Sequence, residues 1–308
     1  SRRQRQMCIR DRYTTILADT ISRFRALVGE KPTFLTGLDE HGLKVQQAAE
    51  KNGKAPQDHC DSMAPAFIDL WKKLNINYSD FIRTTEHRHT KIVQQILTKV
   101  HESGDIYMDE YEGWYSISEE RFITEKELDS GQFGEVKQIK EKNYFFRMSK
   151  YQATLIDKIE KDELLIQPKS RKNEVLGFLK NELSDLCISR PKSRLEWGIE
   201  LPFDDNYVTY VWFDALINYI SAIGAYSNDE HFSSLWPADV HLIGKDILTT
   251  HSVYWPTMLL SLGLQLPQRI FAHGWWLTDD QKMSKSLGNV VSPLMLIAVS
   301  YTHLTLPT

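Results

Sequence analysis

The sequence predicts an α/β protein in which a doubly wound parallel sheet is interrupted by a small mixed α+β insertion. Three observations carry this. Short apolar strands alternate with helix-length amphipathic segments along most of the chain, the order that builds parallel sheets. Two of those strands, at 33–37 and 241–246, run into glycines and acids, the composition of a strand handing over to a helix. From about Asp105 to Arg147 the texture changes to short aromatic runs, Ile106-Tyr107-Met108 and Trp114-Tyr115-Ser116-Ile117, and to a charged, periodless stretch over 125–142. That reads as an antiparallel insertion with a solvated ribbon.

In order, residues 13–28 place Ile16, Thr20, Phe24 and Leu27 at helical spacing, and Gly29 stops that helix. Pro32 leads into the strand 33–37. The next residues, Leu38-Asp39-Glu40-His41-Gly42, lie at its carboxyl end, where open α/β sheets bind ligands. A helix over 44–51 stops at Asn52-Gly53, and another over 58–74 aligns Phe67, Leu70, Trp71 and Leu74. A strand at 80–84 precedes a helix over 86–102 that turns Ile92, Val93, Ile96, Leu97 and Val100 inward. Helices over 151–160 and 172–180 follow the insertion, then strands at 185–189 and 207–211.

At 308 residues, with 42% hydrophobic and 25% charged residues, the composition is that of a soluble globular protein of about two units. A net charge of −4 gives no electrostatic argument for nucleic acid, so any RNA contact must be local. Cys8, Cys60 and Cys187 lie far apart, with no Cys-x-x-Cys pair, which speaks against a disulfide framework or a zinc knuckle and for a reducing compartment. No apolar run approaches the roughly 18 residues of a membrane span. Both ends depart from the rest: 1–12 has five arginines and no apolar period, and 300–308 breaks abruptly from a helical-looking segment. Both resemble translated adapter sequence and are set aside from the fold.

Four stretches carry chemistry. Trp212, Ala215 and Tyr219 share one face of a helix beginning just after a strand, and Ile247, His251 and Trp255 form a second stripe that Pro256 should end or kink. Plain core packing satisfies either stripe alone. Together they describe an aromatic enclosure with few charges, suited to an unbranched, polarisable side chain such as a thioether. Asp39, at another strand end, could pair with an α-ammonium group, Asp246 could accept from ribose hydroxyls, and Gly244 allows close approach of a ligand. Finally, Lys282-Met283-Ser284-Lys285-Ser286, closing on Gly288-Asn289, puts two flexible point charges where they can follow a triphosphate as it reacts.

The Lys282–Ser286 string resembles the phosphate-binding loop of class I aminoacyl-tRNA synthetases. Residues 13–299 resemble the methionyl-tRNA synthetases throughout, especially the α-proteobacterial and mitochondrial form. The resemblance is carried by Tyr13-Thr14-Thr15-Ile16-Leu17-Ala18-Asp19, Phe34-Leu35-Thr36-Gly37-Leu38-Asp39-Glu40-His41-Gly42, Tyr111-Glu112-Gly113-Trp114-Tyr115, Tyr144-Phe145-Phe146-Arg147, Val211-Trp212-Phe213-Asp214-Ala215 and Gly244-Lys245-Asp246-Ile247-Leu248. It implies a Rossmann-like catalytic domain in two halves, 13–104 and 151–299, around a connective insertion over 105–150. It implies that Asp39 binds the methionine amino group, and that Trp212, Ala215, Tyr219, Ile247, His251 and Trp255 hold the side chain. Gly244 and Asp246 would touch adenosine, and Lys282, Ser284 and Lys285 would serve catalysis at the phosphates. Partners would be methionine, ATP with Mg2+ and tRNA(Met), without a membrane, in the bacterial cytoplasm or the mitochondrial matrix.

Departures from the family pattern are specific. Arg10-Asp11-Arg12 stands where a His-x-Gly-His turn is expected before Tyr13, which implies lost transition-state stabilisation, an impaired chain and a missing first strand. No cysteine lies between Gly104 and Lys150, so no zinc is expected, and Leu216 stands where many relatives have proline. The helical anticodon-binding domain that the family pattern places after Val299 is absent from this sequence. Two rivals remain: another class I synthetase for a hydrophobic amino acid, for whose editing insertion there is little room, and a non-catalytic module that binds methionine or an adenylate. A Rossmann dehydrogenase is disfavoured because no Gly-x-Gly-x-x-Gly follows a strand.

Overall fold

The computed structural model describes residues 10–116, 121–123, 128, 136–275, 277–278 and 281–282. Helix α1 (Arg10–Leu27) opens it and takes in residues 10–12, which the sequence reading set aside. Its inner side also differs from the expected stripe. Phe24 and Leu27 are 59% and 85% exposed. The inner position belongs instead to Asp19, which accepts from the Asn77 N–H at 2.8 Å and from Arg23 Nε at 2.7 Å. With that buried carboxylate satisfied, Ile16 stays half-buried against the Phe34 core while the Phe24 and Leu27 end of the stripe faces solvent.

Strand β1 (Leu35–Leu38) pairs in parallel with β2 (Asp80–Arg83), Leu35 opposite Asp80 and Leu38 opposite Arg83. The crossover between them is α2 (Leu43–Lys51) and α3 (Pro56–Lys73). Helix α4 (His87–Glu102) follows and buries Ile92, Val93, Ile96, Leu97 and Val100, the face its spacing predicts. In the insertion β3 (Ile106–Ser116) carries β4 (Arg121–Ile123) on one edge and pairs antiparallel with β5 (Val136–Phe146) along its whole length.

Helix α5 (Gln152–Glu160), strand β6 (Leu165–Gln167) and helix α6 (Lys169–Phe178) return to the parallel layer. The strands read at 185–189 and 207–211 do form, but not as parallel strands. β7 (Leu186–Cys187) extends the insertion sheet beside β5, and β8 (Ser189–Pro191) and β9 (Glu200–Leu201) flank β10 (Asp204–Thr209), all antiparallel. The chain between β8, β9 and β10 is too short for helical crossovers, which leaves antiparallel pairing for those three. Next come α7 (Val211–Ser221), α8 (Asp229–Leu235) and β11 (His241–Gly244). A π turn over Thr250–Tyr254 leads into α9 (Trp255–Leu262), and β12 (Arg269–His273) completes a parallel sheet in the order β11–β12–β6. A short hairpin, β13 (Leu277–Thr278) with β14 (Gln281–Lys282), follows.

One large core joins α4, α7, α9 and the β11–β12–β6 sheet through Ile92, Phe213, Ile217, Trp255 and Ile270. A smaller one, Phe34, Leu70, Trp71 and Ile76, sits by β1 and α3. Between β1 and β2 the approach is close: a Cβ on Gly37 would overlap the backbone oxygen of Ile82. Gly37→Ala is therefore expected to push β1 off β2 and cost about 1–3 kcal/mol, measured as a lower urea midpoint at unchanged slope.

Candidate active site

The turn after β1 is held from three directions. Gly42, at φ 108° and ψ 169°, adopts a backbone suited to glycine and caps α2. Its N–H donates to Trp197 O at 3.2 Å, and the Trp197 indole donates to Glu40 O at 2.6 Å. The Glu40 carboxylate accepts Arg83 Nε at 3.0 Å and Thr85 Oγ1 at 2.6 Å. Asp39, between these anchors, is exposed at the strand end.

Third, His41 Nδ1 donates to Asp214 Oδ2 on α7 at 2.6 Å. His89 Nε2 on α4 meets the other carboxylate oxygen of Asp214 at 2.7 Å, and its Nδ1 lies 2.7 Å from Ser221 Oγ, at the end of α7. Asp214 is fully buried. Burial alone would raise its carboxyl, but the charge of His41 and hydrogen bonds from His41 and His89 carry it below the usual carboxylate range. Burial pulls His41 the other way, downward. The charge and hydrogen bond of Asp214, then Asp39 and Glu40, take it above its ordinary value.

Helix α7 turns Tyr219 into an aromatic cluster. Tyr219 donates its hydroxyl proton to His251 Nε2 at 2.8 Å, because His251 Nδ1, 3.0 Å from Ile247 O, is committed as the donor to that carbonyl. The Tyr219 ring lies 6.0 Å from Trp255 and 4.2 Å from His241. His241 Nε2 accepts the Trp255 indole N–H at 3.1 Å, and Trp236 closes the far side 6.1 Å from Trp255. Burial lowers His241 to about 3, helped by His251, and lowers His251 to about 4 against its backbone bond. Both imidazoles are neutral at pH 7, so the cluster is aromatic and uncharged, as an apolar polarisable side chain requires.

Of the residues read from sequence, Tyr219, His251 and Trp255 meet directly, Ala215 is buried, and Trp212 and Ile247 pack on the same core. Pro256 does not end the helix. It occupies the first turn of α9, and the widened π turn before it absorbs the missing N–H. Asp39 stands exposed at the end of β1, two residues before His41, whose raised value its charge supports. Gly244 ends β11, opposite His273, and Asp246 follows it, exposed. Lys282 stands on the hairpin, its backbone opposite Leu277. Ser284 and Lys285 lie outside the described residues. Sequence reasoning missed His241, Trp236, His89 and His273. His273 Nε2 is 2.7 Å from Thr14 Oγ1, tying α1 to the end of β12. A cavity of about 460 Å³, bordered by Lys158, Glu163, Pro237, Leu260 and Leu266, touches none of these residues. It lies by the amino ends of β6, β11 and β12, the edge opposite to where open α/β sheets bind ligands.

Parallel strands with a helix-borne aromatic cluster and acids at their carboxyl ends make a nucleotide-type α/β domain, the catalytic fold of the class I tRNA synthetases. The family described as "tRNA synthetases class I (M)" matches residues 6–132 and 129–304. The Clostridium tetani methionine–tRNA ligase is 51% identical over 291 residues, covering 92% of this chain and 45% of the relative. The Bacillus subtilis methionine–tRNA ligase is 47% identical over 302 residues, with the same shares, 92% and 45%. The Mycobacterium tuberculosis methionyl-tRNA synthetase bound by methionyl-adenylate superposes with a TM-score of 0.88 at 40% identity, covering 97% of this chain and 60% of that one. This chain belongs to the methionyl-tRNA synthetase family. It spans about half the length of the curated relatives it matches.

Two outcomes follow from the geometry. Asp214→Ala leaves two buried imidazoles without their acceptor and should cost about 3–5 kcal/mol, measured by chemical denaturation. For His251, a folded value below the unfolded one means stability is intact above about pH 6.5 and lost as pH falls toward about 4. His41 acts oppositely, its contribution present below about pH 6.5 and lost as pH rises through its folded value. His251→Gln, whose amide can still accept from Tyr219, should therefore flatten the loss of melting temperature between pH 7 and pH 5.

Proposed function

We propose that the chain is the catalytic core of a methionine–tRNA ligase, which activates methionine with ATP and passes it to tRNA(Met). The observation that supports this most is the convergence of Tyr219, His251 and Trp255 into one uncharged aromatic cluster linked through Asp214 and His41 to Asp39. In this reading Asp39 takes the α-ammonium group, while Trp212, Ala215, Tyr219, Ile247, His251 and Trp255 enclose the thioether. Gly244 and Asp246 meet the adenosine. The carboxylate attacks the α-phosphate of MgATP, pyrophosphate leaves in line, and Lys282, Ser284 and Lys285 neutralise its charge. The terminal ribose hydroxyl of tRNA then takes the methionyl group from the adenylate.

The reading divides the chain into catalytic halves at 13–104 and 151–299 and an insertion at 105–150. It includes no zinc, on the ground that none of Cys8, Cys60 and Cys187 lies in that insertion. Among the described residues no helix is long and apolar enough to cross a membrane, and the bacterial relatives favour the cytoplasm over a mitochondrial matrix.

Binding is the direct test. Methionine should quench or shift the fluorescence of the chain, with leucine far weaker; a preference for leucine overturns the assignment. Asp39→Asn should weaken methionine about tenfold to a hundredfold, the worth of one charge-assisted hydrogen bond. Lys282→Ala and Lys285→Ala should leave methionine affinity unchanged and slow methionine-dependent ATP–pyrophosphate exchange about a hundredfold or more.

A further inference from the structure

The amino-acid site is assembled from two pieces of chain far apart in sequence. Asp39 stands in the turn after β1, and Trp212, Ala215 and Tyr219 stand on α7. The bond that joins the two is His41 Nδ1 to Asp214 Oδ2 at 2.6 Å, with the His41 and Asp214 side chains 7% and 0% exposed. Asp214 is the residue immediately before Ala215 on α7. On its other side His89 grips α7 twice, at Asp214 and at Ser221, each at 2.7 Å. The His41 ring is braced in turn by Trp197, 5.2 Å away, whose own indole holds Glu40 O at 2.6 Å.

We propose that His41 is a positioning residue for the amino acid: acting through Asp214, it sets the separation between the ammonium-binding carboxylate of Asp39 and the aromatic wall on α7. This deepens the methionine reading and rests on it. Methionine is short, and its ammonium group and thioether can lie no farther apart than its extended chain allows. Both ends are satisfied together only when the turn and the helix hold one spacing, and a displacement of about 1 Å is enough to lose much of the gain. The nucleotide residues Gly244 and Asp246 lie on and just after β11, on a separate strand. A side chain that only packs the core would lower stability and leave the folded protein's affinities unchanged. A positioning residue shifts methionine alone.

Asparagine carries its amide nitrogen where histidine has Nδ1, and so remakes the bond to Asp214. Glutamine places its amide at the Nε2 position and does not. With the full chain, methionine and ATP affinities are measured by tryptophan fluorescence for His41→Ala, His41→Asn and His41→Gln. His41→Ala and His41→Gln are expected to weaken methionine about tenfold or more, with ATP affinity unaltered and His41→Asn close to the parent chain. Methionine affinity unaffected in His41→Ala, a parallel loss of ATP, or His41→Gln binding as well as His41→Asn would each overturn the proposal. Should His41→Ala fail to fold, the Asn and Gln pair decides alone. A parent chain that binds no methionine removes the amino-acid site itself, an outcome distinct from any of these.

Discussion

A carboxylate sealed between two imidazoles holds this site together. Asp214 is entirely buried, and both its oxygens are taken, one by His41 from the turn after β1 and one by His89 from α4. An ionised group in that position is tolerable only when its partners are close and fully engaged. The requirement therefore fixes three elements relative to one another: the strand end that presents Asp39, the helix that carries Tyr219, and the helix that braces both. The aromatic cluster behind them needs no charge, because its two histidines are held neutral by burial and by a committed hydrogen-bond pattern.

The polar and apolar halves of the site thus obey different rules. Around Asp39 every polar group answers another: Glu40 with Arg83 and Thr85, Arg83 also with Asp61, and Trp197 with Glu40 O. Around Tyr219 the interactions are ring contacts, each weak and summed over several partners. The methionine proposed for this site has an ammonium group at one end and a soft apolar tail at the other, in line with that division.

Much of this was legible in the sequence where periodicity and burial agree. α4 shows it best, since all five of its expected inward residues are buried. The stripe Trp212–Tyr219 was legible for the same reason, being a helix face that packs where its spacing points, whereas His251 and Trp255 reach the core across a π turn. What was not legible depended on distant partners. The setting of α1 depends on the Asn77 N–H donated to Asp19 from 58 residues away, and no local pattern announces that. The pairing of β8, β9 and β10 is a matter of available connection length, and their composition is equally compatible with a parallel sheet. His89, His241 and Trp236 sit singly in otherwise ordinary stretches, and only the folded chain brings them to Asp214 and Trp255.

The π turn at Thr250–Tyr254 has a further consequence. It contains one residue more than an ordinary helical turn would need, and it lies between His251, which accepts the Tyr219 hydroxyl, and the Trp255 indole on the other side of the Tyr219 ring. Were the turn to tighten into a regular helix with that residue kept, everything after it would swing by about 100°. Trp255 would leave the cluster and Pro256 would move into a helix interior that rejects it. The widening itself therefore sets the facing of Trp255 and keeps Pro256 in a first helical turn.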